Sequence, residues 1–141
     1  MRAISIYSDK LTFQHIMSVS VIDEQRLRAN MYVFWHIFVD SSCVDRCIKI
    51  IKRQFDLICS SGLLDEVKSI HIGYVGKAMF PVPEILEHPK FKIDVHIDEG
   101  YEGVTTRLLF EKAKHELPKD ACLLYIHNKG VKWPEGSPPW D

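Results

Sequence analysis

Apolar and polar positions along this chain follow two different periods, and the change between them marks the predicted elements. Met31-Tyr32-Val33-Phe34-Trp35-His36-Ile37-Phe38-Val39 is a dense aromatic and β-branched run, which predicts a buried strand. Asp40 ends it. Ser41 or Ser42 is then expected to cap a helix, with Asp45 placed beyond Ser42 as in a capping box. Val44, Cys47, Ile48, Ile51, Phe55 and Ile58 recur at helical spacing, so one face of that helix is apolar, and Gly62 is the expected stop. Ser69 to Val75 predicts a second strand, and such a crossover is expected to be parallel and right-handed. Pro81, Pro83 and Pro89 leave room for a short helix near Glu84 to Glu87. Phe91 to Ile97 alternates, as a strand near a sheet edge does. Thr105 or Thr106 is expected to open a second long helix that ends before Pro118. Cys122 to Ile126 is a continuous apolar run, the pattern of a strand covered on both faces.

Strands alternating with helices predict an α/β fold, a mostly parallel sheet with helices on both faces in a three-layer sandwich. One domain is expected over residues 31–132. Residues 1–30 form an N-terminal segment to which the sequence assigns no role, although Ile4 and Ile6 alternate like a short strand. Residues 133–141 are a proline-rich tail. In open α/β sheets, ligands bind outside the carboxyl ends of the strands. The turn His127-Asn128-Lys129-Gly130 falls at such a strand end and carries an imidazole, an amide and an ammonium. It also reads as a plain polar turn in which Gly130 supplies a positive φ.

Composition narrows this picture. The 141 residues are 46% hydrophobic and 26% charged, which is ordinary for a soluble globular domain. A formal net charge of −1 gives no general attraction to nucleic acid or an anionic membrane. An anionic ligand must therefore be met by local basic groups or backbone amides. The sequence lacks a membrane-spanning apolar run and a signal-peptide core, so a cytoplasmic, reducing location is expected. Cys43, Cys47, Cys59 and Cys122 have no zinc-knuckle spacing and are expected to pack as small hydrophobes.

Other residues suggest chemistry. Asp40 either binds a ribose or base, or serves the turn into the helix with Ser41 and Ser42. Asp94, His96 and Asp98 alternate, which predicts one shared strand face, with Glu99 and Glu102 nearby. That face would offer oxygen ligands or a general base, or else be a solvated edge. Glu102, Thr105 and Thr106 sit at the start of the second helix, where free N–H groups suit an anion. His36 and His71, inside strands, are expected to be hydrogen-bonded core histidines. Trp133 and Trp140 either stack on a sugar or base or fold back on apolar surface.

Several pieces resemble one family when taken together. They are His36-Ile37-Phe38-Val39, Ser61-Gly62-Leu63-Leu64-Asp65, Ile70-His71-Ile72-Gly73-Tyr74-Val75-Gly76, Glu102 with Thr105-Thr106, and Leu124-Tyr125-Ile126-His127-Asn128-Lys129-Gly130-Val131. In order and spacing they resemble glycosyltransferase-like proteins with an "LYxHxKG" signature. The resemblance implies a Rossmann-like, GT-A-type domain that binds a UDP- or GDP-linked sugar and transfers the sugar to an acceptor the sequence does not name. It implies His127, Asn128, Lys129, Gly130, Asp40, Glu102, Thr105 and Thr106 as donor-binding residues. GT-A enzymes usually end this strand in Asp-x-Asp around a divalent cation, and here the place carries His127-Asn128-Lys129. Mg²⁺ prefers carboxylate oxygens and Mn²⁺ tolerates imidazole better, so a cation would fall to His127 and Asp98. Otherwise Lys129 neutralises the diphosphate without metal. Domains of this type normally continue past the motif, whereas the chain ends at Asp141. That leaves a donor-binding half, or a non-catalytic interaction module of the same fold that works with a protein partner.

Overall fold

The computed structural model describes residues 2–6, as backbone, and residues 30–128. Within these residues five strands form one all-parallel sheet: β1 (Arg2–Ile6), β2 (Met31–Phe38), β3 (Ser69–Val75), β4 (Phe91–Ile97) and β5 (Cys122–His127). Their spatial order is β1-β5-β2-β3-β4. Between them lie α1 (Val44–Ser60), the short α2 (Leu63–Glu66), a 3₁₀ turn at Pro83–Glu87 and α3 (Gly103–His115). This is an α/β fold. Among the described strands β4 is at the sheet edge, as its alternation predicts, and β5 is flanked by β1 and β2.

Direction of travel decides which side each helix covers. From β2 the chain steps outward to β3 and then β4. It then returns across both to place β5 on the other side of β2. Right-handed crossovers running in opposite directions must pass over opposite faces. Accordingly Cys47, Ile51 and Ile58 of α1 pack with Val33, Trp35 and Ile72. Leu109 of α3 packs with Phe34, Leu123 and Tyr125, the residues alternating with that first set. The Val82 and Ile85 side chains of the second connection join the α1 side.

The helix starts differ from the sequence reading. Ser42 does not cap α1, because the Asp40 carboxylate accepts both its backbone N–H at 2.9 Å and its hydroxyl at 2.7 Å. With that side chain engaged, Cys43 takes the N-cap position without a capping side-chain bond. Likewise α3 begins at Gly103, two residues before Thr105, and Thr105 lies fully buried inside its first turn. Gly62 does end α1, at φ 81°, a left-handed conformation that costs glycine little. The same residue starts α2, which the sequence shows only as a turn. Lys90 Nζ donates to the Leu64 carbonyl at 2.6 Å and ties this corner to the start of β4.

Asp94, His96 and Asp98 do not share a strand face. The pairing of β3 with β4 runs Ile72 to Ile93 and then Gly73 to Val95, so Asp94 is an extra residue that shifts the alternation. Asp94 reaches His71 on the α3 side, while the His96 ring lies tilted against Tyr74, centroids 4.6 Å apart, on the α1 side.

Candidate functional site

The reversal at β2 leaves a topological switch point between the carboxyl ends of β2 and β5. His36 and His127 stand opposite each other there in the parallel register. Both are buried under the start of α3. His36 Nδ1 lies 2.8 Å from Thr105 Oγ1. The Thr105 hydroxyl in turn points at the Gly73 carbonyl, 3.4 Å away. A hydroxyl that donates to Gly73 accepts from His36 Nδ1–H, which leaves Nε2 as the basic nitrogen of a neutral imidazole. Burial drives the His36 pKa from 6.5 down to about 4; Glu102 opposes that shift and His127 adds to it.

Gly73 is what allows α3 to come this close. A Cβ there would stand 2.0 Å from Thr105 Oγ1 and 3.2 Å from the Thr105 Cα. Glu102, the N-cap of α3, places a half-exposed carboxylate 4.0 Å from His127 Nδ1. The switch point therefore holds two buried imidazoles, a buried hydroxyl and a carboxylate at its rim.

Asn128 acts as an extension of the sheet. Its Oδ1 accepts from the Phe38 N–H at 2.8 Å, and its Nδ2 donates to the Phe38 carbonyl at 2.7 Å. The side chain thus mimics a strand residue and closes the β2–β5 seam. On the other face, Gln54 Nε2 donates to the His127 carbonyl at 2.9 Å, and Trp35 Nε1 donates to Gln54 Oε1 at 3.1 Å. Gln54 was missed in the sequence, although it lies on the helical line of Cys47, Ile51 and Ile58. A polar residue on an apolar stripe is the signal that finds it.

Asp40 lies just past β2 at the same sheet end, turned to Ser42. Thr106 Oγ1 bonds the Gly103 carbonyl at 3.2 Å. Lys129 and Gly130, and Trp133 and Trp140 of the tail, lie outside the described residues. Asp98 follows β4, and β2 and β3 stand between it and His127 of β5. Three strand spacings of about 4.8 Å put roughly 14 Å between those strands. Among the described residues no three His, Cys, Asp or Glu side chains converge as a metal site. That strand separation is too wide for His127 and Asp98 to share one Mg²⁺ or Mn²⁺ shell.

A second polar chain runs along the same face nearer the amino ends of the strands. His71 Nδ1–H donates to Asp94 Oδ2 at 2.5 Å, and Ser69 Oγ lies 2.8 Å from His71 Nε2. Lys112 of α3 sits 4.0 Å from the other Asp94 oxygen. Burial lowers the His71 pKa, which suits a neutral ring accepting from Ser69. The flanking N–H groups are committed, Lys68 to the Met31 carbonyl at 2.8 Å and Ile70 to that of Lys90 at 2.7 Å. Through Asp94 and Lys112 the polar chain ties β3 to β4 and α3. His36 and His71 are thus both hydrogen-bonded and buried.

No family model, curated protein or solved structure matches this chain. No helix among the described residues is long and apolar enough to cross a membrane.

Proposed function

We propose that the chain is a nucleotide-sugar-binding domain, a Rossmann-like three-layer sandwich of GT-A type, working in the cytoplasm on a UDP- or GDP-linked sugar. The observation that supports it most is the position of His127 and Asn128, at the carboxyl end of an interior parallel strand where the strand order reverses, the place where doubly wound sheets hold nucleotides. In this reading Lys129, next after Asn128, neutralises the diphosphate as a point charge. Glu102 bonds a sugar or ribose hydroxyl, and the buried imidazole of His127 holds a donor oxygen beside it. Asn128 and Thr105 act indirectly by fixing the seam and the angle of α3. The acceptor and the transfer step belong to an activity we assign to this class without naming the acceptor.

A thermal-shift screen of UDP- and GDP-sugars, with and without Mn²⁺, tests the proposal. A rise in Tm that is lost in Lys129→Ala and weakened in Glu102→Gln supports it. No rise with any nucleotide sugar in the intact protein overturns it. One observation favours a second reading, a non-catalytic interaction module of the same fold. The amide of Asn128 and the hydroxyl of Thr105 are spent on internal hydrogen bonds. That module gives a Tm indifferent to nucleotide sugars and a protein partner that co-purifies in fixed ratio.

A further inference from the structure

At the start of α1 the sulfurs of Cys43 and Cys47 lie 4.0 Å apart. Cys47 is fully buried in the core, and Cys43 is half-buried above it. A disulfide holds its sulfurs about 2.05 Å apart, so closing the pair draws them together by about 2 Å. Cys43 is built to make that movement. As the N-cap residue it has φ −146° and ψ 43°, outside the helical range, so its displacement leaves the rest of α1 wound.

We propose that Cys43 and Cys47 are a thiol-oxidation site that closes reversibly to a disulfide, taking a low-molecular-weight disulfide such as glutathione disulfide as the oxidant. The Cys43 thiolate attacks one glutathione sulfur, and the first glutathione leaves as a thiolate that takes up a proton. Cys47 then loses its proton, attacks Cys43 Sγ and expels the second glutathione. Two protein thiols are oxidised and one glutathione disulfide is reduced to two glutathiones.

Cys43 is the attacking member for two reasons. It is the more accessible, and burial pushes the Cys47 thiol up to about 11. The bridge also reaches the switch point. The Cys43 N–H donates to the Asp40 carbonyl at 3.1 Å, and the Asp40 backbone hydrogen-bonds the Cys47 sulfur. Drawing the sulfurs together disturbs both links and so moves the Asp40 turn at the end of β2. The disulfide forms whether or not the crevice takes a nucleotide sugar.

The test uses the full chain carrying Cys59→Ser, treated with excess glutathione disulfide under native conditions. It is then alkylated, unfolded, alkylated again and digested with trypsin. Cleavage after Arg46 separates the two cysteines, so only a bridge can join residues 29–46 to residues 47–49. The expected result is that joined pair, two hydrogens lighter than its parts, released by dithiothreitol and missing in Cys43→Ser, with the far-UV circular dichroism unchanged. Stable glutathione on Cys43 with Cys47 still alkylated overturns the proposal. So does an unmodified pair, or a joined pair that forms only as the dichroism is lost.

Discussion

The two faces of the sheet are built from the same strands yet solve different problems. On the α1 face, Val33, Trp35, Ile72, Leu124 and Ile126 meet Cys47, Ile51 and Ile58 in a continuous apolar layer. On the α3 face, the apolar layer among the described residues is small and centred on Phe34, Leu109 and Leu123. Around it stand three buried histidines, His36, His71 and His127, with Ser69 and Thr105. A layer of apolar side chains stabilises without regard to partner, at about 25 cal/mol per Å² of buried apolar surface. A layer of buried polar groups is stable only while every partner stays in place. One face holds the fold, and the other holds a geometry.

Substitutions can break this contrast. Ile51→Ala empties a fully buried site on the α1 face. It should cost about 2–5 kcal/mol in denaturant unfolding while leaving the pH dependence of stability unchanged. Gly73→Ala acts on the other face by overpacking, because the new Cβ meets Thr105 backbone as well as side chain. A loss of about 1–3 kcal/mol is expected, together with displacement of α3 seen as loss of amide-exchange protection in residues 103–109. Thr105→Val keeps the shape and removes the acceptor for His36 Nδ1. It should cost about 1–3 kcal/mol.

The smallest expected effect is in the pH profile. His36 has its pKa lowered in the folded protein to about 4 from 6.5, and that of His71 is lowered as well. Below pH 6.5 the unfolded chain takes up protons that the folded chain refuses. Stability is therefore complete above that pH and falls as the pH drops toward 4. Each histidine contributes at most about 1.4 kcal/mol per pH unit. Tm measured from pH 7 to pH 5 should fall less steeply in His36→Gln than in the parent protein, and an unchanged slope would show that His36 titrates normally.

The α1 face was the legible one. Its strands and helix follow from periods that apolar residues set within a few positions, and β3 and β4 have the bounds the pattern predicts. The α3 face was legible only as a list of polar residues. His36 and Thr105 are 69 positions apart, and the strand pattern carries no trace of their pairing. The extra residue at Asp94 reverses the face of everything after it in β4, and one inserted residue leaves no mark in an alternating run. Ser42 looked like a cap because serine usually is one, yet the Asp40 carboxylate two residues earlier competes for its N–H and hydroxyl. Glu102 and His127, 25 positions apart in the chain, come within 4.0 Å of each other. The cation ligands that the resemblance implies are apart: His127 ends β5 and Asp98 follows β4, strands that are not neighbours.

The imidazole signals themselves test the central claim most directly. Long-range ¹H–¹⁵N spectra of the labelled protein, recorded while a UDP- or GDP-sugar is added, follow each ring on the α3 face. A donor seated at the β2–β5 switch point moves the His127 and His36 signals in a saturable way and leaves His71, nearer the amino ends of the strands, in place. Movement of His71 without His127, or no saturable change in any ring, would contradict a nucleotide-sugar site at this crevice.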